Sequence, residues 1–223
     1  MRRNPFDDLA ADYEAWYATP LGAFVIAREE EALCEVLAQT GASHVLDIGA
    51  GTGWWARRLA RGGRRVTALE PSEPMACLGQ ARSRGLDVQW VRGVAEALPF
   101  EPGTFDCALL FTVIEFVSDP RRALEEATRA VRAGGSVVIG YLEVLSAWAA
   151  WYRSLADQGV APWTAARFVT GELLQQWMGR APEGMWSSVW LVPHARPPFG
   201  EADRCGRRAG NVQALTLVWW RKL

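Results

Sequence analysis

The stretch Val45-Leu46-Asp47-Ile48-Gly49-Ala50-Gly51-Thr52-Gly53 decides the fold. A short apolar strand runs into three glycines at alternate positions, and Trp54 to Ala60 then follow a helical pattern. Glycine permits backbone angles and a close approach that a Cβ would block. The free N–H groups that open the next helix face the same turn, so a ligand can lie directly on it. Spacing decides which ligand. A dinucleotide fingerprint wants its third glycine one place later, and that place holds Trp54. A nicotinamide or flavin dinucleotide is therefore the weaker reading. The order here is G-x-G-x-G, with the acidic Asp47 two places before the first glycine.

Outward from the turn, strand and helix patterns alternate. Strands are expected near 44–49, 66–70, 87–91, 106–111 and 135–141, with helices near 54–62, 73–84 and 119–132. Such alternation implies parallel strands joined by helical crossovers. Ser118 or Asp119 can cap the third of these helices, Pro120 suits its first position, and Gly134-Gly135 can end it. Upstream, residues 6–39 have the pattern of two helices broken near Thr19-Pro20-Leu21-Gly22. After Tyr141 the alternation stops: 146–155 and 170–178 look helical, and 186–192 and 215–220 look like strands. The Pro/Gly/Arg-rich connection 193–211 is expected to be a long loop, of the kind that is functional or disordered.

Val45 to Gly53 resembles the first motif of the class I S-adenosylmethionine-dependent methyltransferases. The resemblance continues in order through Ala68-Leu69-Glu70-Pro71-Ser72, Ala95-Glu96-Ala97-Leu98-Pro99-Phe100, Phe105-Asp106, Val117-Ser118-Asp119-Pro120 and Val131 to Ile139. It covers roughly residues 40–141 and is similar to the ubiquinone/menaquinone-type, methyltransferase type 11-like small-molecule branch. It implies an α/β, Rossmann-like doubly wound sheet of seven strands, mostly parallel, closing in a C-terminal antiparallel hairpin. N-terminal helices and a helical insertion would complete one domain over 1–223: a lid at 1–40, a cofactor-binding core at 41–141, and substrate-side elements at 142–223.

The cofactor implied is S-adenosyl-L-methionine, and the resemblance also suggests which residues meet it. Glu70 would accept from the ribose hydroxyls. Gly49, Gly51 and Gly53 would admit the methionine portion, with Asp47 balancing its ammonium side. Pro71 and Met75 would pack beside the adenine or ribose, Ala95 and Glu96 along the adenine edge. The residue before Ala95 is commonly an Asp in the family, and this chain has Val94. Phe111 and Thr112, at the end of the fourth strand, would border cofactor and substrate where the strand order switches.

Composition narrows the acceptor. The 223 residues carry a net charge of −1, which gives no field for a phosphate backbone, so nucleic acid is not expected. The basic pairs Arg57-Arg58, Arg64-Arg65 and Arg207-Arg208 are expected on solvated faces. No apolar run suits a signal peptide or a membrane span, which points to the cytoplasm. The four cysteines have no zinc or disulfide spacing, so no metal is expected. Tryptophan is the outlier at 12 residues, and Trp148, Trp151, Trp163, Trp177, Trp186 and Trp190 suggest an aromatic-walled cavity. A small-molecule methyl acceptor follows. Tyr13, Trp16 and Tyr17 are candidate lid residues, and Tyr141 and Trp148 are candidate substrate neighbours. Glu115 is the first candidate for contact with the substrate or its proton, and His194 the second. A non-catalytic cofactor-binding module acting through a protein partner is the alternative.

Overall fold

The computed structural model describes residues 4–223. Among them, seven strands form one sheet: β1 (His44–Ile48), β2 (Arg65–Glu70), β3 (Val88–Arg92), β4 (Phe105–Phe111), β5 (Val131–Leu142), β6 (Gly184–Ser188) and β7 (Leu215–Arg221). Their order is β3-β2-β1-β4-β5-β7-β6. β1 to β5 pair in parallel, and β7 runs antiparallel to both β5 and β6. The helices are α1 (Pro20–Thr40), α2 (Trp54–Arg61), α3 (Glu73–Arg82), α4 (Pro120–Ala130), α5 (Ala147–Asp157), α6 (Gly171–Met178) and α7 (Phe199–Arg208). None of the helices is long and apolar enough to cross a membrane.

Because side chains alternate along a strand, each strand supplies two cores. Leu46, Ile48, Ala108, Leu110, Val137 and Ile139 pack with Ala123, Leu124 and Ala127 of α4 and Leu174 of α6. Val45, Val66, Ala68, Cys107, Leu109 and Val138 pack on the other face with Leu33, Val36 and Leu37 of α1 and Leu59 of α2. Helices thus cover both faces, which is what nearly continuous apolar strands require. The strand order reverses between β1 and β4, and that crevice is where the carboxyl ends of an open parallel sheet can receive a ligand.

Local chemistry sets the helix ends. The Thr19 hydroxyl accepts from Gly22 N–H at 3.0 Å, Pro20 opens α1, and left-handed Gly41 closes it. At α4, the Asp119 carboxylate accepts from Arg122 N–H at 3.0 Å and Pro120 follows.

Several expectations need correction. Residues 6–18 form no first helix, only short helical turns at Asp7–Leu9 and Trp16–Ala18. Their polar side chains bond to other elements, so tertiary contacts rather than helix propensity shape the segment. The connection 193–211 contains α7, hidden in the sequence by Gly200 and Gly206. Gly206 is there because a Cβ would collide with the carbonyl of Trp190. The sixth strand spans 184–188 rather than 186–192 and ends at Val189, whose φ of +64° breaks the extended chain. The Arg57-Arg58 pair is not a solvated face: Arg57 is buried in an ion pair with Glu14.

Gly79, inside α3, makes room for the indole of Trp90, which a Cβ would overlap. Gly→Ala in a helix ordinarily gains about 1 kcal/mol. Gly79→Ala is instead expected to lose about 1–3 kcal/mol through overpacking, a reversal of sign that urea unfolding would measure.

Candidate active site

All three glycines of the turn have positive φ, at +72° for Gly49, +57° for Gly51 and +76° for Gly53. Only one of them leaves open space. A Cβ on Gly49 would lie 2.6 Å from Val113 Cγ2, and one on Gly53 would lie 2.7 Å from Trp90 Cζ2. On Gly51 it would meet only Tyr13 Cε1, at 3.9 Å. The outer glycines thus admit the protein's own side chains, while Gly51 keeps an open face beneath the N-terminal segment. The turn is tied to β2: Gly49 and Ala50 N–H donate to the Leu69 carbonyl at 2.8 and 3.0 Å.

Glu70, at the end of β2, accepts from Gly51 N–H through Oε2 and from Ser72 N–H through Oε1, each at 2.8 Å. Each oxygen retains a lone pair. Asp47 is buried, and its Oδ2 has no partner. Burial, together with the charge of Glu70, pushes the Asp47 carboxyl up to about 7. A free acceptor and a partly used carboxylate beside an open glycine face fit a ligand that brings its own N–H and O–H donors.

The other expected cofactor residues are more mixed. Met75 is buried in the first turn of α3, below the Ser72 cap, and the Pro71 carbonyl accepts from Arg92 at 2.6 Å. Ala95 is buried against the α4 side of the sheet. Glu96 Oε1 accepts from the Ser118 N–H and hydroxyl, both at 2.7 Å, and from Asp119 N–H at 3.2 Å. That carboxylate anchors the start of α4. Val94, where an Asp is common in the family, is exposed.

A cavity of about 340 Å³ lies beside the switch point. Phe111 and Thr112 bring the end of β4 to it. Thr112 holds φ at +52°, costly for a β-branched residue. Its N–H donates to the Gly140 carbonyl at 2.7 Å. Tyr13, Trp16 and Tyr17 line the cavity from the N-terminal segment. Trp148, Trp151 and Tyr152 of α5 and the following Trp163 form a further wall, with Tyr152 and Trp163 stacked at 3.6 Å.

Polar bonds fasten the lid segment. Glu14 accepts from the Thr52 hydroxyl and pairs with Arg57 and Arg82, both at 2.9 Å. Asp7 accepts from the Ser72 hydroxyl at 2.7 Å. Tyr13 both lines the cavity and stands over Gly51, so one segment covers the turn and the cavity together.

Three expected substrate-side residues lie outside the cavity lining. Glu115 is fully buried: Oε1 accepts from Leu142 N–H at 2.6 Å and Oε2 has no partner. The Tyr141 ring belongs to the α4-side core. His194 is exposed, with its ring 5.6 Å from Trp151. Of the suggested tryptophans, Trp148, Trp151 and Trp163 line the cavity, and Trp177, Trp186 and Trp190 do not. Sequence reasoning missed Phe6, Trp55, Phe116 and Glu29, which do. For Glu29 a signal existed: it occupies an apolar phase of α1, four residues after Val25 and four before Leu33.

Burial pushes the Glu115 carboxyl from 4.5 up to about 7, so the fold favours its neutral form. Its stabilising contribution is complete below pH 4.5 and fades as pH rises through 7. Glu115→Gln should remove roughly 3 kcal/mol of that pH-dependent loss, seen as a flatter urea-unfolding profile against pH than the wild type. Glu14→Ala should loosen the lid by about 1.4 kcal/mol or more, speeding proteolysis within residues 4–19 about tenfold while opening precedes cleavage.

Comparison with known proteins agrees with this geometry. Residues 46–139 match the model of the methyltransferase domain family. An uncharacterised protein of Mycobacterium tuberculosis is 38% identical over 167 residues, 75% of this chain and 55% of that protein. A malonyl-[acyl-carrier protein] O-methyltransferase of Erwinia pyrifoliae is 37% identical over 124 residues, 53% of this chain and 47% of that enzyme. The chain thus spans about half the length of the curated relatives it matches. A Thermotoga maritima crystal structure, described as a SAM-dependent methyltransferase and possible histamine N-methyltransferase, superposes with a TM-score of 0.75 at 27% identity. That superposition covers 98% of this chain and 99% of the other. With the family match spanning the glycine turn and the seven-stranded sheet complete around it, the protein carries a class I S-adenosylmethionine-dependent methyltransferase domain.

Proposed function

We propose that the protein transfers a methyl group from S-adenosylmethionine to a small-molecule acceptor held in the aromatic cavity. The observation that carries this reading is the shared cover: Tyr13 stands over the open face of Gly51 and also lines the cavity that Thr112 borders. The cofactor, when bound, supplies a methyl group activated by its sulfonium. Glu70 would receive the ribose hydroxyls, Asp47 Oδ2 the donors of the methionine end, and Gly51 the close approach between them. Thr112 and the aromatic walls would orient the acceptor, and the lid would exclude water. Positioning and desolvation of this kind contribute about 7–11 kcal/mol to a two-substrate step. Glu115 takes no part as a base in this reading, because its carboxyl is fully buried and lies outside the cavity lining. The names of the relatives point to different acceptors, a carrier-protein malonyl group and an amine. A cavity volume of about 340 Å³ supports the smaller kind.

Calorimetric titration with S-adenosylmethionine, S-adenosylhomocysteine and NAD tests the reading. Micromolar binding of the first two is expected. Glu70→Ala should weaken it about tenfold or more, the cost of losing hydrogen bonds to a charged group. Binding of NAD alone would overturn the reading. Cofactor binding with no turnover across a broad acceptor panel would favour a non-catalytic module.

A further inference from the structure

Glu29 sets a charge requirement on whatever fills the cavity. It lines the chamber from α1, one turn after Val25, which lines it as well. Its neighbours in sequence are neutralised: Glu30 pairs with Arg58 at 2.8 Å, and Glu31 pairs with Arg28. Glu29 has neither an ion pair nor a hydrogen bond among the described residues. Asp12 is the other charged residue of the lining, and no Lys, Arg or His contributes to it. Beyond the lining, Glu14 is already paired with Arg57 and Arg82; within it, burial keeps the phenols of Tyr13, Tyr17 and Tyr152 neutral. The lining therefore holds two carboxyl groups and no basic side chain.

Resting on the proposed function, we propose that the methyl acceptor is a small aromatic amine bound as its ammonium against Glu29, which takes the ammonium proton before the nitrogen, its lone pair restored, displaces S-adenosylhomocysteine from the methyl group. The walls suit such a molecule twice over. Flat rings pack against Trp148, Trp151 and Tyr152, and an ammonium is attracted to the faces of aromatic rings. An anion would meet repulsion from Glu29 and Asp12. A neutral molecule would leave Glu29 protonated and gain no ion pair from it, whereas a cation would gain one. Burial alone already pushes the Glu29 carboxyl up to about 8, the behaviour of a group that lacks a positive partner. A bound ammonium supplies that partner.

The test compares charged and neutral molecules of the same shape. Phenethylamine and tryptamine are titrated into the full chain saturated with S-adenosylhomocysteine, alongside 2-phenylethanol and tryptophol. The amines should bind about tenfold or more tighter than the alcohols, as expected for a hydrogen bond to a charged group. Glu29→Gln should abolish that preference while leaving S-adenosylhomocysteine affinity unchanged. Equal binding of amines and alcohols to the wild type, or an alcohol preference, would overturn the proposal whether or not the variant folds. So would a preference that survives Glu29→Gln. Failure of S-adenosylhomocysteine itself to bind would instead sink the methyltransferase reading beneath it.

Discussion

The turn between β1 and α2 exists in this form because no Cβ stands at positions 49, 51 or 53. Each residue there holds a left-handed backbone, and each missing side chain gives its space to something different. Val113, just past the end of β4, takes the first, Trp90 of β3 takes the last, and the middle one stays open beneath Tyr13. Three strands and the N-terminal segment therefore meet at one short piece of backbone. The Leu69 carbonyl and the Glu70 carboxylate then fix that backbone against β2. Side chains at 49 or 53 would disturb packing before they disturbed any ligand.

The energetics around the turn divide between two kinds of interaction. Beneath it, alternating apolar side chains fill both faces of the sheet, and this burial supplies the bulk of the stability. Above it, the N-terminal segment is held by a small set of polar links, Glu14 to Thr52, Arg57 and Arg82, and Asp7 to Ser72. Arg57 is buried, so its pairing with Glu14 matters more than a surface ion pair would. The segment is thus held by fewer links than the sheet it rests on.

The sheet was legible because its strands are short apolar runs bounded by glycine, proline and capping residues. The turn was legible because its spacing is restrictive. Legibility fell where tertiary contacts override local preference. Residues 6–18 have helical spacing of aromatics, yet the aromatics cover a cavity and the acids reach to other elements. α7 was hidden by glycines that serve packing, Gly206 against the Trp190 carbonyl. Tyr13, Trp16, Tyr17 and Trp148 all line the cavity; the family resemblance suggested the first three, and the clustering of tryptophans suggested the last. Glu115 misled because a carboxylate just past a strand end suggests chemistry, whereas it satisfies the Leu142 N–H. Glu29 escaped notice among Arg28, Glu30 and Glu31, a charged run that suggests a solvated face. Only its phase on α1 set it apart.

The chamber is walled largely by aromatic rings. Trp16, Trp55, Trp148, Trp151 and Trp163, five of the chain's 12 tryptophans, line it. A molecule that fills the space displaces solvent from all of them at once. Intrinsic emission then registers occupancy of this one compartment above the background of the other indoles, with no label attached. The protein carries its own optical probe in the walls of that compartment.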